Sequence, residues 1–397
     1  MPAPLAGLTV LDFSPLLPGP FATRILADLG AKVIRIESPD RPDLVRQGPP
    51  FVAGVAAGHA YLNRNKQSLA LNLKAPGALA AVLRLVVQAD VLVEQFRPGV
   101  MARLGLDYTT LQAHNPRLVY CSITGYGQTG PLRDRAGHDI NYLALTGLSA
   151  GSGRQQSGPP PQGLQVADVA GGSLHAVIGI LAALRQREQD GLGQHIDISM
   201  SDCAFHLNAL AAAGQLAADC DTPAEGGLLN GGSHYDYYRC RDNRWLAVGS
   251  LEPPFLIALC QAIGLPELAA RFGIDPAQAK RQLAARLAEQ DRASWEAVFA
   301  SVDACVEPVL SLPEALDSEL ARARGWVVDV AIGDDTVRQP AMPIRFSRAE
   351  AVYGQAGGAV GEHGRTILRE AGLDEMEIAA LQAAGALGPA CDADLQQ

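Results

Sequence analysis

The feature that most constrains this chain is an alternation, over its first 125 residues, of short β-branched runs with helical stretches. LTVLDFS (8–14) reads as a strand, and Pro20 near the start with Gly30 just past the end frames a helix over 20–29. VIRIES (33–38), LALNL (69–73), VLVEQF (91–96) and LVYCSI (118–123) read as further strands, with a helix near 76–88. Strands that recur between helices need crossover connections. The pattern therefore predicts a mostly parallel, doubly wound α/β sheet with helices on its faces. No G-x-G-x-x-G follows the first strand, so a nicotinamide cofactor is not indicated.

The remainder calls for a second body. With 397 residues, 48% of them hydrophobic, the chain exceeds one ordinary domain. A Gly/Pro/Ser/Gln loop occupies 151–163, followed by a helix over about 169–187, the strand HIDIS and a helix over about 200–217. Residues 221–233 are loop-like and mark a boundary. A hairpin follows, in which YDYYRC and WLAVGS flank the turn RDNR. Helices and short strands fill 254–325, and two amphipathic helices occupy the tail from 362. The expected organisation is a large Rossmann-like domain over 1–200, a smaller α+β domain over 225–315, and a return to the large domain over 325–397.

Several functional classes are disfavoured. A net charge of -10 argues against a broad basic face for nucleic acid. The N-terminal MPAPLAGLTVLDFS has neither a basic segment nor a long apolar one, so no signal peptide is expected. No membrane span is expected either, since polar residues interrupt the apolar stretches. Seven cysteines (121, 203, 220, 240, 260, 305, 391) are scattered without a CxxC pair, which suits reduced thiols in a cytoplasmic protein and no metal site.

Three segments could carry chemistry. In Gly137-His138-Asp139-Ile140-Asn141-Tyr142 an imidazole stands beside polar groups; it is either a His bonded at a helix start or a proton carrier. Asp168, in Ala167-Asp168-Val169-Ala170-Gly171-Gly172-Ser173, falls where an apolar helix begins. An N-cap role suits it, and so does an acid near amides that a ligand could approach past the paired glycines. Glu252, in Gly249-Ser250-Leu251-Glu252-Pro253-Pro254-Phe255, reads alone as a solvated first-turn acid. Arg24, Arg35, Arg64, Lys66 and Arg97 recur at βα junctions, a pattern that suits a phosphate-binding edge. Taken by themselves, the residues indicate an α/β enzyme with a phosphorylated ligand.

Many ordered segments together resemble the family III CoA-transferases, and within them the alpha-methylacyl-CoA racemase branch. They include LPGPFATRILADLGAKVIRIESP (17–39), LNRNKQSLALNLK (62–74), VEQFRPGVMARLGLDY (93–108) and ITGYGQTGP (123–131). AGHDINYLALTG (136–147), VADVAGGS (166–173), LLNGGSHYDYYRCRD (228–242), AVGSLEPPF (247–255), DACVEPVL (303–310) and GEHGRTIL (361–368) continue the match. His138 and Glu252 carry the branch, because typical transferases have an aromatic where His138 stands; Asp168 is common to both.

The resemblance implies inversion of the carbon next to an acyl-CoA carbonyl by 1,1-proton transfer through an enolate. His138, paired with Glu252, would serve one face and Asp168 the other, with amides near Asp168 and Val169 donating to the enolate oxygen. No metal or redox cofactor is implied, CoA being part of the substrate. In the transferase branch the same aspartate instead attacks the thioester and forms a mixed anhydride. Arg35, Arg64, Lys66 and Arg97 match CoA-contacting positions. An interlocked homodimer is also implied, with Glu252 reaching His138 across it. One departure stands out: Leu229-Asn230-Gly231-Gly232-Ser233-His234 replaces the branch's Leu-Asp-Gly-Gly-Ala-Pro, which bears on substrate preference.

Overall fold

Runs of Val, Ile and Leu with no polar alternation are what strands buried on both faces require. The computed structural model, which describes residues 3–388, builds a parallel sheet from six of them. These are β1 (Thr9–Asp12), β2 (Lys32–Glu37), β3 (Lys66–Ala70), β4 (Val91–Glu94), β5 (Val119–Thr124) and β6 (His195–Ser199). Their order is β3-β2-β1-β4-β5-β6, and every neighbouring pair is parallel. The expected Rossmann-like doubly wound sheet is thus present, with its order reversing between β1 and β4. Cys391 lies outside the described residues.

The chain divides into two compact units. One takes the chain up to Leu143, Gly163–Leu207 and the chain from Arg322 onward; the other takes Ala144–Gln162 and Asn208–Ala321. The Gly/Pro/Ser/Gln loop therefore belongs with the second unit, where the sequence placed it in the first. In the first unit, helix α1 (Pro18–Asp28) opens with prolines at its first turn, where a missing N–H costs nothing. Helix α2 (Ala78–Gln88) packs Ala81, Val82, Leu85 and Val86 into a core with Leu11, Ile34, Leu69 and Leu92 of the sheet. Residues 364–370 and 375–383 form the two tail helices, and Ile367, Leu368, Ile378 and Leu381 join the same core. Each such fully buried aliphatic side chain contributes about 1.5–3 kcal/mol.

Strand β3 begins at Lys66, three residues before the expected LALNL run, because Lys66–Ala70 pairs in register with Val33–Glu37. A second difference concerns residues 167–190, which wind into one continuous helix of 24 residues, long and apolar enough by length and composition to cross a bilayer. This corrects the expectation that no such stretch exists. Half of its apolar window is buried, and it packs on α1, β5 and β6. The helix expected over 200–217 is broken at Asn208 into Met200–Leu207 and Ala209–Ala218.

The second unit holds a three-stranded antiparallel sheet in which Trp245–Val248 pairs with Asp236–Arg239 on one side and Val306–Pro308 on the other. Trp295, Leu259, Leu283 and Leu287 fill its core from surrounding helices, with the Trp295 indole N–H donating to Leu287 O at 2.9 Å.

Candidate active site

Helix α3 (Asp139–Leu145) starts immediately after His138. The His138 carbonyl accepts from Asn141 N at 2.8 Å, and the Asn141 side chain accepts from His138 N at 3.0 Å. His138 itself is exposed. Asp168 lies in the first turn of the long helix, whose first eight residues, Ala167–Leu174, wind as a π-helix before His175–Asp190 continues as α4. Such widened turns recur at functional sites. The paired glycines permit close packing there: a Cβ on Gly172 would lie 3.1 Å from Met200 Cγ and from Pro18 Cβ.

Asp168 is not a helix cap. Val166 occupies the N-cap, and the carboxylate that binds the first amides belongs to Asp139, whose Oδ1 accepts from Ala167 N at 2.6 Å and from Asp168 N at 3.1 Å. The Val169 amide donates to Gln165 O at 2.9 Å. Both amides expected to face an enolate oxygen are therefore already engaged, which corrects that expectation.

His138 and Asp168 line one cavity of about 480 Å³. Its floor comes from the carboxyl ends of β1, β4 and β5, through Leu16–Pro18, Gln95–Pro98 and Ile123–Tyr126, at the point where the sheet order reverses. Burial pushes the Asp168 carboxyl up to about 6, the nearby Asp139 charge adds to the rise, and His138 opposes it. A carboxyl poised there can release and recover a proton near neutral pH. Tyr126, Arg133 and Arg135 also line the cavity. Sequence reading passed over them, although they sit in a Gly-rich segment directly after β5, where α/β folds place ligand contacts.

A second cavity, of about 910 Å³, opens along the carboxyl ends of β3, β2, β1 and β4. Arg35, Arg41, Lys74, Arg97 and Arg103 line it against Glu37, Asp40 and Asp43. Phe96 and Arg97 line both cavities, so they form the sill between them.

The four basic residues matched to CoA contacts divide sharply. Arg97 is exposed, with no carboxylate partner among the described residues. Arg35 reaches the larger cavity but is 2% exposed, its guanidinium 2.6 Å from Asp43. Arg64 is fully buried. Its Nε and Nη2 donate to Asp28 at 2.8 and 2.7 Å, and its Nη1 donates to Pro340 O at 2.8 Å. Lys66 Nζ donates to Asp12, Pro20 O and Asn63, each at 3.0 Å. Neither Arg64 nor Lys66 lines a cavity described here, because buried carboxylates already hold both charges.

Glu252 belongs to the second unit. It is the N-cap of helix α5 (Pro253–Ala262), makes no side-chain cap bond, and is exposed. The turn before it is held from within that unit. Ser250 Oγ bonds Ala304 O, and His234 Nε2 lies 2.9 Å from Ser250 O with its ring 4.7 Å from the Phe272 ring. Asn230 is also tied in place: its amide donates to Gly151 O and Pro223 O at 3.0 and 2.8 Å, while its carbonyl accepts from Gly227 N at 2.8 Å. An aspartate there could make neither donation.

The doubly wound sheet thus carries a cavity lined by His138 and Asp168 at its switch point and a cation-lined cavity beside it. Residues 5–364 match the family described as CoA-transferase family III, and the chain belongs to it. The human alpha-methylacyl-CoA racemase is 36% identical over 379 residues, covering 94% of this chain and 95% of that protein. The acetyl-CoA:oxalate CoA-transferase of Acetobacter aceti is also 36% identical, over 358 residues, covering 87% and 89%. Among solved structures, a CAIB/BAIF family protein from Brucella suis superposes with a TM-score of 0.83 at 32% identity, covering 94% of this chain and all of that one.

Proposed function

We propose that this enzyme is a 2-methylacyl-CoA racemase that inverts the α-carbon by 1,1-proton transfer. One observation carries the reading: His138 and Asp168 line the same cavity, with the Asp168 carboxyl raised to about 6. Inversion needs two acid/base groups, one for each face of the reacting carbon. In one direction Asp168 removes the α-proton, the thioester passes through an enolate, and His138 returns a proton from the other side; the reverse direction exchanges the roles. Burial near an anion favours the protonated carboxyl, which suits Asp168 to donate as well as accept.

Substrate CoA occupies the larger cavity in this reading, with Arg97 on the sill contacting phosphate as the chain turns toward the acid/base groups. Arg64 and Lys66 act on CoA only through the walls they hold. Glu252 joins His138 in a homodimer whose subunits share the site. The chemistry is proton transfer throughout and calls for no redox group.

The transferase reading uses Asp168 as a nucleophile and gives His138 no task. It is favoured by the Acetobacter transferase, which is as similar to this chain as the human racemase. Proton NMR of pure (2R)-2-methylacyl-CoA with the enzyme in D2O separates the two. Loss of the α-proton with appearance of the (2S) epimer is the expected result. An unchanged α-proton, with CoA passing to an added free carboxylic acid, overturns the racemase in favour of the transferase.

A further inference from the structure

We infer that Asp139 is a positioning residue, stapling the helix start that carries Asp168 to the helix start that follows His138 and so setting the spacing of the two acid/base groups. The inference rests on the proton-transfer reading and adds a residue to it. Asp139 is the first residue of α3, one position after His138. Its Oδ1 accepts from Ala167 N at 2.6 Å and Asp168 N at 3.1 Å, across 28 and 29 residues of chain. Two orphan donors of the second helix are thereby satisfied by a side chain of the first. Any slide of one helix start past the other would break these charge-assisted bonds. Asp168 has no cap of its own to replace them, since its N-cap is Val166 with no side-chain bond.

The same carboxylate has a second effect. It sits beside Asp168 as a like charge, and after burial it is the larger contributor to the raised Asp168 carboxyl. The other groups facing Asp168 are His138 and Tyr142 on α3, with Arg97, Arg133, Arg135 and Tyr126 around the cavity. His138 opposes the rise. Asp139 is thus the charge that keeps Asp168 protonated to higher pH while holding it in place.

Two variants separate position from charge. Asp139→Asn keeps an oxygen acceptor for the two amides and removes the charge; Asp139→Ala removes both. The substrate-free readout is a carboxyl titration by NMR of protein carrying 13C-labelled aspartate, with Asp168→Asn assigning the signal. The kinetic readout is α-proton exchange and inversion of (2R)-2-methylacyl-CoA in D2O. In Asp139→Asn the Asp168 titration moves to lower pH and the acidic limb of the rate moves with it, with KM within about twofold. In Asp139→Ala, kcat falls about 100-fold with KM again little changed, the size expected for a misplaced reacting group. Inversion falls more than exchange there, because one face retains its base.

An Asp168 titration that stays put in Asp139→Asn, or a kcat in Asp139→Ala within about twofold of the parent, overturns the inference. Should Asp139→Ala fail to fold, the titration and pH profile of Asp139→Asn decide alone. If the parent enzyme exchanges no α-proton, the proton-transfer reading fails, and the NMR titration still reports whether Asp139 governs Asp168.

Discussion

Asp12 and Asp168 are both withdrawn from water beside the same sheet, yet burial acts on them with opposite outcomes. Asp12, at the end of β1, is fully buried, which by itself would push its carboxyl up. Lys66 and Arg35 outweigh that, helped by Ser14 and Thr23, and hold it below the ordinary range. Asp168 is less buried, but its nearest charged neighbours include another carboxylate, and its carboxyl rises to about 6. Burial removes solvent; the sign of the neighbouring charge then decides whether a group is locked as an ion or left ready to exchange a proton. Asp12 is locked as an ion, and Asp28 is held in place between the buried Arg24 and Arg64. Asp168 is not locked.

Perturbing each side in turn tests this contrast. On the reactive side, His138→Ala or Asp168→Asn lowers inversion of the α-carbon about 1000-fold, worth about 4 kcal/mol of barrier. Retention of acyl transfer in His138→Ala, with loss only in Asp168→Asn, would move the chemistry to the transferase. On the locked side, Arg64→Ala destabilises folding by about 3 kcal/mol, because among the described residues Asp28 keeps only Arg24 and Asn65 as partners. Urea unfolding measures this, and a change below about 0.5 kcal/mol would show that the buried pair is not locked.

Between these lies the sill. Arg97→Ala raises KM for acyl-CoA roughly 10- to 30-fold, an effect of about 2 kcal/mol, and leaves kcat near the parent value. A fall in kcat with unchanged KM would instead place Arg97 in the chemical step.

The smallest effect is on stability against pH. The native Asp168 carboxyl holds its proton up to about 6, against 3.8 for the ordinary group. The native state therefore binds more protons between those values, and stability falls as pH rises through that window and stays lower above it. Asp168→Asn removes the penalty: near pH 8 the variant is more stable by about 1 kcal/mol after allowance for screening, a gain that vanishes below about pH 4. A variant less stable than the parent near pH 8 would contradict the assigned rise.

Much of this contrast was hidden in the sequence. The strand runs were legible because burial on both faces leaves an uninterrupted apolar signature. Strand order was not, since it depends on crossovers. Lys66 read as one of several basic residues at βα junctions, and its burial against a carboxylate had no local signal. Only the pairing of Lys66–Ala70 with Val33–Glu37 draws it into the sheet, where Asp12, 54 residues away, neutralises it. His138 and Asp168 were visible as chemistry-bearing types, and their shared cavity follows from tertiary structure. Asp139 was visible beside His138, but nothing local announces an acceptor for amides 28 residues on. The break at Asn208 was equally silent, as the run around it is rich in helix formers.

The π-wound start of the long helix behaves as an insertion that the fold has absorbed. Each residue of an ordinary helix turns by about 100°, so removing one residue between Asp168 and His175 would let the segment relax to α-winding with the downstream helix undisturbed. Both flanks would keep their phase, since an absorbed insertion leaves the helix on either side in register. The loss would fall on the widened turn alone, and with it on the local backbone that sets the Asp168 carboxyl against its cavity. A single-residue deletion there is thus a lesion of one turn, felt neither by the sheet nor by the larger cavity.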